Sequence, residues 1–183
     1  MERIIPDKLN DRFGLASLRL HYERYHFAGK NIVPGRVLDI ACGTGYGSYL
    51  LASEYQNFIS EIVAVDISRE SIAYAHQRYA HPKIKFVVQD ALSFSDHRKF
   101  DSIVTLETIE HLQNPSSLIS ILYCLLNVGG MLVASAPVTP STDINSYHLN
   151  DFTKKLSVIY LLHILLLKNL LFTNGRKLAL KTL

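Results

Sequence analysis

Glu107-Thr108-Ile109-Glu110-His111 packs two carboxylates and an imidazole into one short stretch. Two kinds of chemistry suit that set. An imidazole with an unperturbed pKa of about 6.5 can take a proton from a hydroxyl at neutral pH. Two carboxylates and one imidazole can instead hold a divalent cation, with Mg²⁺ or Mn²⁺ favoured over a structural zinc. If residues 107–111 form a helical turn, Glu107 shares a face with both Glu110 and His111. His111 and Glu110 are the candidate catalytic residues, and Glu107, Glu110 and His111 the candidate ligands.

A second constellation lies upstream. Residues 37–40 are a short apolar run that leads into Ala41-Cys42-Gly43-Thr44-Gly45-Tyr46-Gly47. Glycines reach positive φ and let a ligand approach the backbone. A strand that turns through them into a helix presents free N–H groups and the positive end of the helix dipole. Asp39 adds a carboxylate just before the turn. A cradle offering both signs suits a zwitterion better than a pyrophosphate. The dinucleotide fingerprint Gly-x-Gly-x-x-Gly also fails, because its third glycine would fall on Ser48. Two more apolar runs end in acids: residues 62–65 at Asp66, and residues 84–88 at Gln89-Asp90-Ala91. In a doubly wound sheet, an acid about 20 residues beyond the glycines meets ribose hydroxyls.

Asp39, Gly43, Gly45 and Gly47 in this order resemble the S-adenosylmethionine loop of class I methyltransferases. The resemblance implies that the loop lies against the amino-acid part of that cofactor, through Asp39, Ala41, Gly43, Gly45 and Tyr46. It implies that Asp66 and Ile67 serve the ribose, that Asp90 and Ala91 serve the adenine, and that Glu107 touches the cofactor. An aromatic, basic segment over about residues 13–29 is similar to one that packs over the cofactor in many relatives, which brings Tyr22 or Arg24 towards its carboxylate. The glutamate-histidine cluster, together with His148, resembles two narrower groups. These are ubiquinone-pathway O-methyltransferases and enzymes that methylate the 3′ end of small RNAs. In both, the matching residues hold a metal, so Glu107, Glu110, His111 and His148 form the implied set. "Glu-His" after this strand also occurs in methyltransferases that use no metal, and both readings stay open. An NAD-dependent dehydrogenase and a non-catalytic or truncated S-adenosylmethionine-binding module compete with the methyltransferase reading.

These residues need a scaffold that brings strand ends together. Apolar runs at 36–40, 61–65, 84–88, 101–106 and 130–136 alternate with helical patterns. That order predicts an α/β, doubly wound, Rossmann-like and mostly parallel sheet with helices on both faces. Ser68 is the expected N-cap of a helix carrying Ile72, Ala75 and Tyr79. A helix over 117–126 is expected to end at Gly129-Gly130, which then starts the next strand. Relatives often have a proline where this chain has Val128. Asn174-Gly175 predicts an antiparallel C-terminal hairpin between residues 170–173 and 177–180.

The chain has 183 residues, 48% of them hydrophobic and 19% charged, which suits one globular domain over 1–183. Residues 1–30 are expected to form an N-terminal helical cap. Residues 152–183 carry six Lys or Arg and no acid, an atypical basic, leucine-rich end. The apolar stretch 156–167 is too short to cross a bilayer, which takes about 20 residues. A buried helix is expected there, and the competing readings are contact to an anionic membrane surface and a foreign or shortened tail. Two cysteines, Cys42 and Cys124, do not make a disulfide framework, and a cytoplasmic setting is expected. A small hydroxylated acceptor is the expected partner. With a net charge of only +3 and no basic patch interleaved with aromatics, no nucleic-acid partner is expected.

Overall fold

The computed structural model describes residues 4–137, 142 and 145–152, together with the backbone of 177–182. Six strands form one sheet in the order β3-β2-β1-β4-β5-β6. They are β1 (Gly35–Ile40), β2 (Ile59–Asp66), β3 (Ile84–Val88), β4 (Phe100–Leu106), β5 (Leu126–Ala136) and β6 (Lys177–Thr182). Every pairing is parallel. The helices are α1 (Arg12–Asn31), α2 (Tyr46–Glu54), α3 (Arg69–Arg78) and α4 (Pro115–Leu125). Short 3₁₀ turns occupy Pro6–Lys8 and Ile109–His111. This is the expected Rossmann-like arrangement, with its chain reversal between β1 and β4.

The strands read as near-continuous apolar runs because both faces of the sheet are covered. Tyr25 and Ala28 of α1, Leu51 of α2 and Ile72 of α3 pack on one face against Val37, Ile62 and Val104. Leu118, Ile119 and Leu122 of α4 pack on the other against Leu38, Ile40 and Ile103. Caps set where helices begin. The Asp11 carboxylate accepts from the Phe13 and Gly14 amides at 2.9 Å each, and Ser68 Oγ accepts from the Ser71 amide at 3.2 Å. At the edge of the sheet where the strands start, buried Arg36 donates to Glu61 and Asp96 at 2.6 and 2.7 Å and stacks on Phe100.

Two expectations about the later chain are corrected. The α4 helix ends at Leu125 and is capped by Leu126, whose backbone is extended, so the glycine pair is no helix cap. Gly129 and Gly130 lie within β5, which begins four residues earlier than expected. A Cβ on Gly130 would sit 2.8 Å from the Asp101 carbonyl, so glycine is required by a close strand approach. The antiparallel C-terminal hairpin is also corrected. β6 runs parallel to β5, pairing Met131 with Lys177 through Ala136 with Thr182. A parallel neighbour needs a long crossover, and residues 137–176 are long enough to make one. The first arm of the expected hairpin and the helix over 156–167 lie outside the described residues. Among the described residues, no helix is long and apolar enough to cross a membrane.

Candidate active site at the carboxyl ends of the strands

The chain leaves β1 through a tight loop. Ala41, Gly43 and Gly45 take positive φ values of 63°, 58° and 83°. A Cβ on Gly45 would meet Ala75 and Phe86 at 2.7 Å, so sterics and dihedral both select glycine there. A Cβ on Gly47 would overlap the Tyr25 ring, so the third glycine serves helix–helix packing. The loop is tied to the end of β2: the Gly43 amide donates to Asp66 Oδ2 at 2.9 Å, and Asp66 Oδ1 accepts from the Ser68 amide at 2.8 Å. Asp66 thereby joins the start of α3 to the glycine loop.

Three adjoining cavities open along this edge. The first is lined by Ala41, Gly43, Tyr46, Asp66 and Glu107, with Thr108 between strands. The second is an apolar slot bounded by Ile67, Asp90, Ala91 and Leu112, and it shares Ala41, Asp66 and Thr108 with the first. A third takes in Arg24, Glu107, Glu110, His111, Asn145 and His148. Asp66 thus stands where the first two meet, and Glu107 and His111 where the first and third meet.

Most of the expected cofactor residues therefore come together. Asp39 does not reach the cavities. It is buried behind the loop and accepts from Ser48 Oγ at 2.6 Å and from Tyr25 OH at 3.2 Å. Burial pushes its carboxyl up to about 6, although the hydrogen bonds from Ser48 and Tyr25 oppose the shift. Its geometry makes it a brace under the loop rather than a group facing a ligand. Gly45 likewise acts from behind, as the N-cap of α2. His21, from the segment expected over the cofactor, lines the first cavity, as does Thr108, which no sequence pattern singles out. Tyr46 OH and His21 Nδ1 share a hydrogen bond at 2.9 Å, and burial holds the His21 ring down to about 4, so it is neutral at pH 7. Nothing local to Leu20-His21-Tyr22 shows that this imidazole faces a strand end some distance along the chain.

The glutamate-histidine cluster is built differently from a helical turn. Glu107 has a positive φ of 50° and lies outside the 3₁₀ turn that holds Glu110 and His111. Its carboxylate is already engaged, by Arg24 at 3.0 Å and by Ser135 Oγ at 2.7 Å. Tyr22 is not among the cavity-lining residues, whereas Arg24 lines the third cavity. Glu110 is the opposite case. It is completely buried, and among the described residues neither carboxylate oxygen has a hydrogen-bond partner. Burial first, then the Glu107 charge, pushes its carboxyl up to about 8. Its main-chain carbonyl accepts from the Leu149 and Asn150 amides, which holds residues 147–150 against the turn. His111 Nδ1 bonds the Tyr147 carbonyl at 2.9 Å, leaving Nε2 on the Glu110 side, 3.9 Å from Oε1. The His148 ring lies edge-on to His111, with centroids 4.8 Å apart. Potential ligand atoms of Glu110, His111 and His148 all lie within 4.8 Å of one another. The expected metal set is thus reduced by one: Glu107 stands apart from it.

The fold and this edge define a Rossmann-like α/β protein with adjoining strand-end cavities beside a buried acid and two imidazoles. Comparison with known proteins then gives the family. Residues 34–163 match the family model described as a methyltransferase domain, and the chain belongs to that family. It is 32% identical over 126 residues to phosphoethanolamine N-methyltransferase 1 of Zea mays, covering 64% of this chain and 24% of that protein. It is 28% identical over 134 residues to an uncharacterized methyltransferase of Mycobacterium tuberculosis, covering 73% of this chain and 66% of that one. The chain thus spans about a quarter of the plant enzyme's length. The N-methyltransferase NodS from Bradyrhizobium japonicum shares the fold, with a TM-score of 0.64, 21% identity and coverage of 85% and 84%. A second structure of NodS is a complex with S-adenosyl-L-homocysteine. Family membership removes the dehydrogenase reading, in agreement with Ser48, which is fully buried and bonded to Asp39.

Proposed function

We propose that this chain transfers a methyl group from S-adenosylmethionine to a hydroxyl of a small acceptor. The observation that carries the reading is Glu110: a buried carboxyl group with neither oxygen hydrogen-bonded among the described residues, beside a cavity that adjoins the cofactor cleft. Leaving such a group unpaired is costly, and a ligand that donates to it recovers that cost.

In this reading the amino-acid end of the cofactor lies against the glycine loop and the N-terminus of α2. Asp66, at the junction of the first two cavities, receives the ribose hydroxyls, and the apolar slot by Ile67 and Ala91 takes the adenine. When bound, the cofactor supplies an electrophilic methyl on a sulfonium and leaves as a neutral thioether. The chain supplies no nucleophile. It aligns the acceptor oxygen with the methyl carbon and receives the hydroxyl proton on His111, or on Glu110 once the pH exceeds that group's raised value of about 8. The Tyr147 carbonyl fixes the His111 ring so that Nε2 faces the acceptor side.

A metal is a second reading of the same cluster, favoured by the convergence of Glu110, His111 and His148. The Tyr147 carbonyl on His111 Nδ1 is the kind of outer contact that orients a ligating histidine. One carboxylate and two imidazoles fit Mn²⁺ better than Mg²⁺, which prefers an all-oxygen shell. A metal there would orient the acceptor hydroxyl and lower its pKa.

The test is methyl transfer from labelled S-adenosylmethionine to a panel of phenols, sugars, alcohols and amines. Transfer to a hydroxyl compound supports the reading; transfer to amines alone overturns the hydroxyl assignment. Activity that survives EDTA, with no response to Mn²⁺ or Mg²⁺, removes the metal reading and leaves the proton-accepting one.

A further inference from the structure

The segment ahead of α1 reaches the strand-end cavities through Ile4. Ile4 lines both the first and the third cavity. Its carbonyl accepts from Thr44 Oγ1 at 2.7 Å, a bond that reaches onto the glycine loop itself. Three residues on, the Asp7 carboxylate is held from α3, by Arg78 Nε at 2.9 Å and by Tyr74 OH at 2.8 Å. The segment is therefore pinned at two points: the loop after β1 and the helix after β2. Between these pins it makes one 3₁₀ turn with no buried residue. Segments with little buried surface and few bonds open at low cost.

We propose that residues 4–8 act as a strap over the nucleoside cofactor, latched by Asp7 on Arg78 and Tyr74. Its role rests on the reading that the first cavity holds that cofactor. With the strap in place, Ile4 closes the cleft on the side of the third cavity, and Thr44 is covered. Exchange of spent cofactor for fresh then requires the Asp7 latch to part and the Thr44 bond to break. The latch side chains are half-exposed, so the ion pair is weak enough to open on the time scale of turnover. The strap also screens the methyl donor from water while an acceptor occupies the third cavity.

The test measures release of S-adenosylhomocysteine from the full chain by biosensor dissociation. Asp7→Ala, Arg78→Ala and Tyr74→Phe are compared with the unmodified chain and with the charge exchange Asp7→Arg/Arg78→Asp. None of these side chains lines the cavities. Loss of one exposed, charge-assisted pair is expected to speed release about five-fold. The exchanged pair is expected to return release to within about two-fold of the original. Trypsin cleavage after Lys8 and Arg12 is expected to slow when S-adenosylhomocysteine is bound. Release rates unchanged in all three single variants, or an exchange that restores nothing, overturn the strap while the cofactor reading stands. No binding by the unmodified chain defeats the cofactor reading and the strap with it.

Discussion

Asp39 and Glu110 show how one chemical group serves two ends. Both are buried, and in both the carboxyl is shifted upwards by burial. Asp39 is satisfied by Ser48 and Tyr25, whereas the Glu110 carboxyl group has no hydrogen-bond partner among the described residues. For Asp39 the native state holds its proton more tightly than the unfolded chain does, at about 6 against 3.8. The stability this provides is full below the lower value and is lost as pH rises through the upper one. Asp39→Asn is therefore expected to lose less melting temperature than the unmodified chain between pH 4 and 7. Parallel melting curves across that range would contradict the assignment. Glu110 follows the same sign, from 4.5 to about 8. Glu110→Gln is expected to lower kcat about a hundred-fold or more and yet to stabilise the fold above pH 8. Assay and thermal melt read the two effects separately. A carboxylate kept for structure would show the opposite: lost stability and little lost rate.

The loop between β1 and α2 was legible in sequence because its signal is local. Three alternating glycines after a strand announce a turn, and the φ values at Gly43 and Gly45 match that need. Gly45→Ala places a methyl at positive φ against Ala75 and Phe86, and is expected to cost about 2 kcal/mol in urea unfolding. A cost near zero would mean that the loop relaxes freely. Strand ends were legible for the same reason, and Asp66, Asp90 and Glu107 were found from them. Three features were not. The Gly129-Gly130 pair reads as punctuation, yet it sits in β5 because the Asp101 carbonyl crowds Gly130. The backbone turn at Glu107 and its pairing with Arg24 join residues 83 apart, beyond any local pattern. Asp39 looked like a ligand-facing acid because strand alternation does not say which groups from other elements, here Tyr25 and Ser48, meet it first.

Across the whole molecule the two edges of the sheet differ in kind. At the edge where the strands start, Arg36 is saturated by Glu61, Asp96 and the Arg98 carbonyl, an arrangement that serves stability. At the opposite edge lie the positive-φ loop and the orphaned Glu110 carboxylate. Ligands in open α/β sheets gather at that second edge, beside the strand reversal. The central claim is that a nucleoside bearing a sulfonium spans the first two cavities across Asp66. Isothermal titration of the folded chain with S-adenosylmethionine tests it most directly. We expect one site per chain, weakened at least ten-fold by Asp66→Ala with the circular dichroism spectrum unchanged. Heats no larger than dilution for the unmodified chain, or equal affinity in the Asp66 variant, would contradict the account.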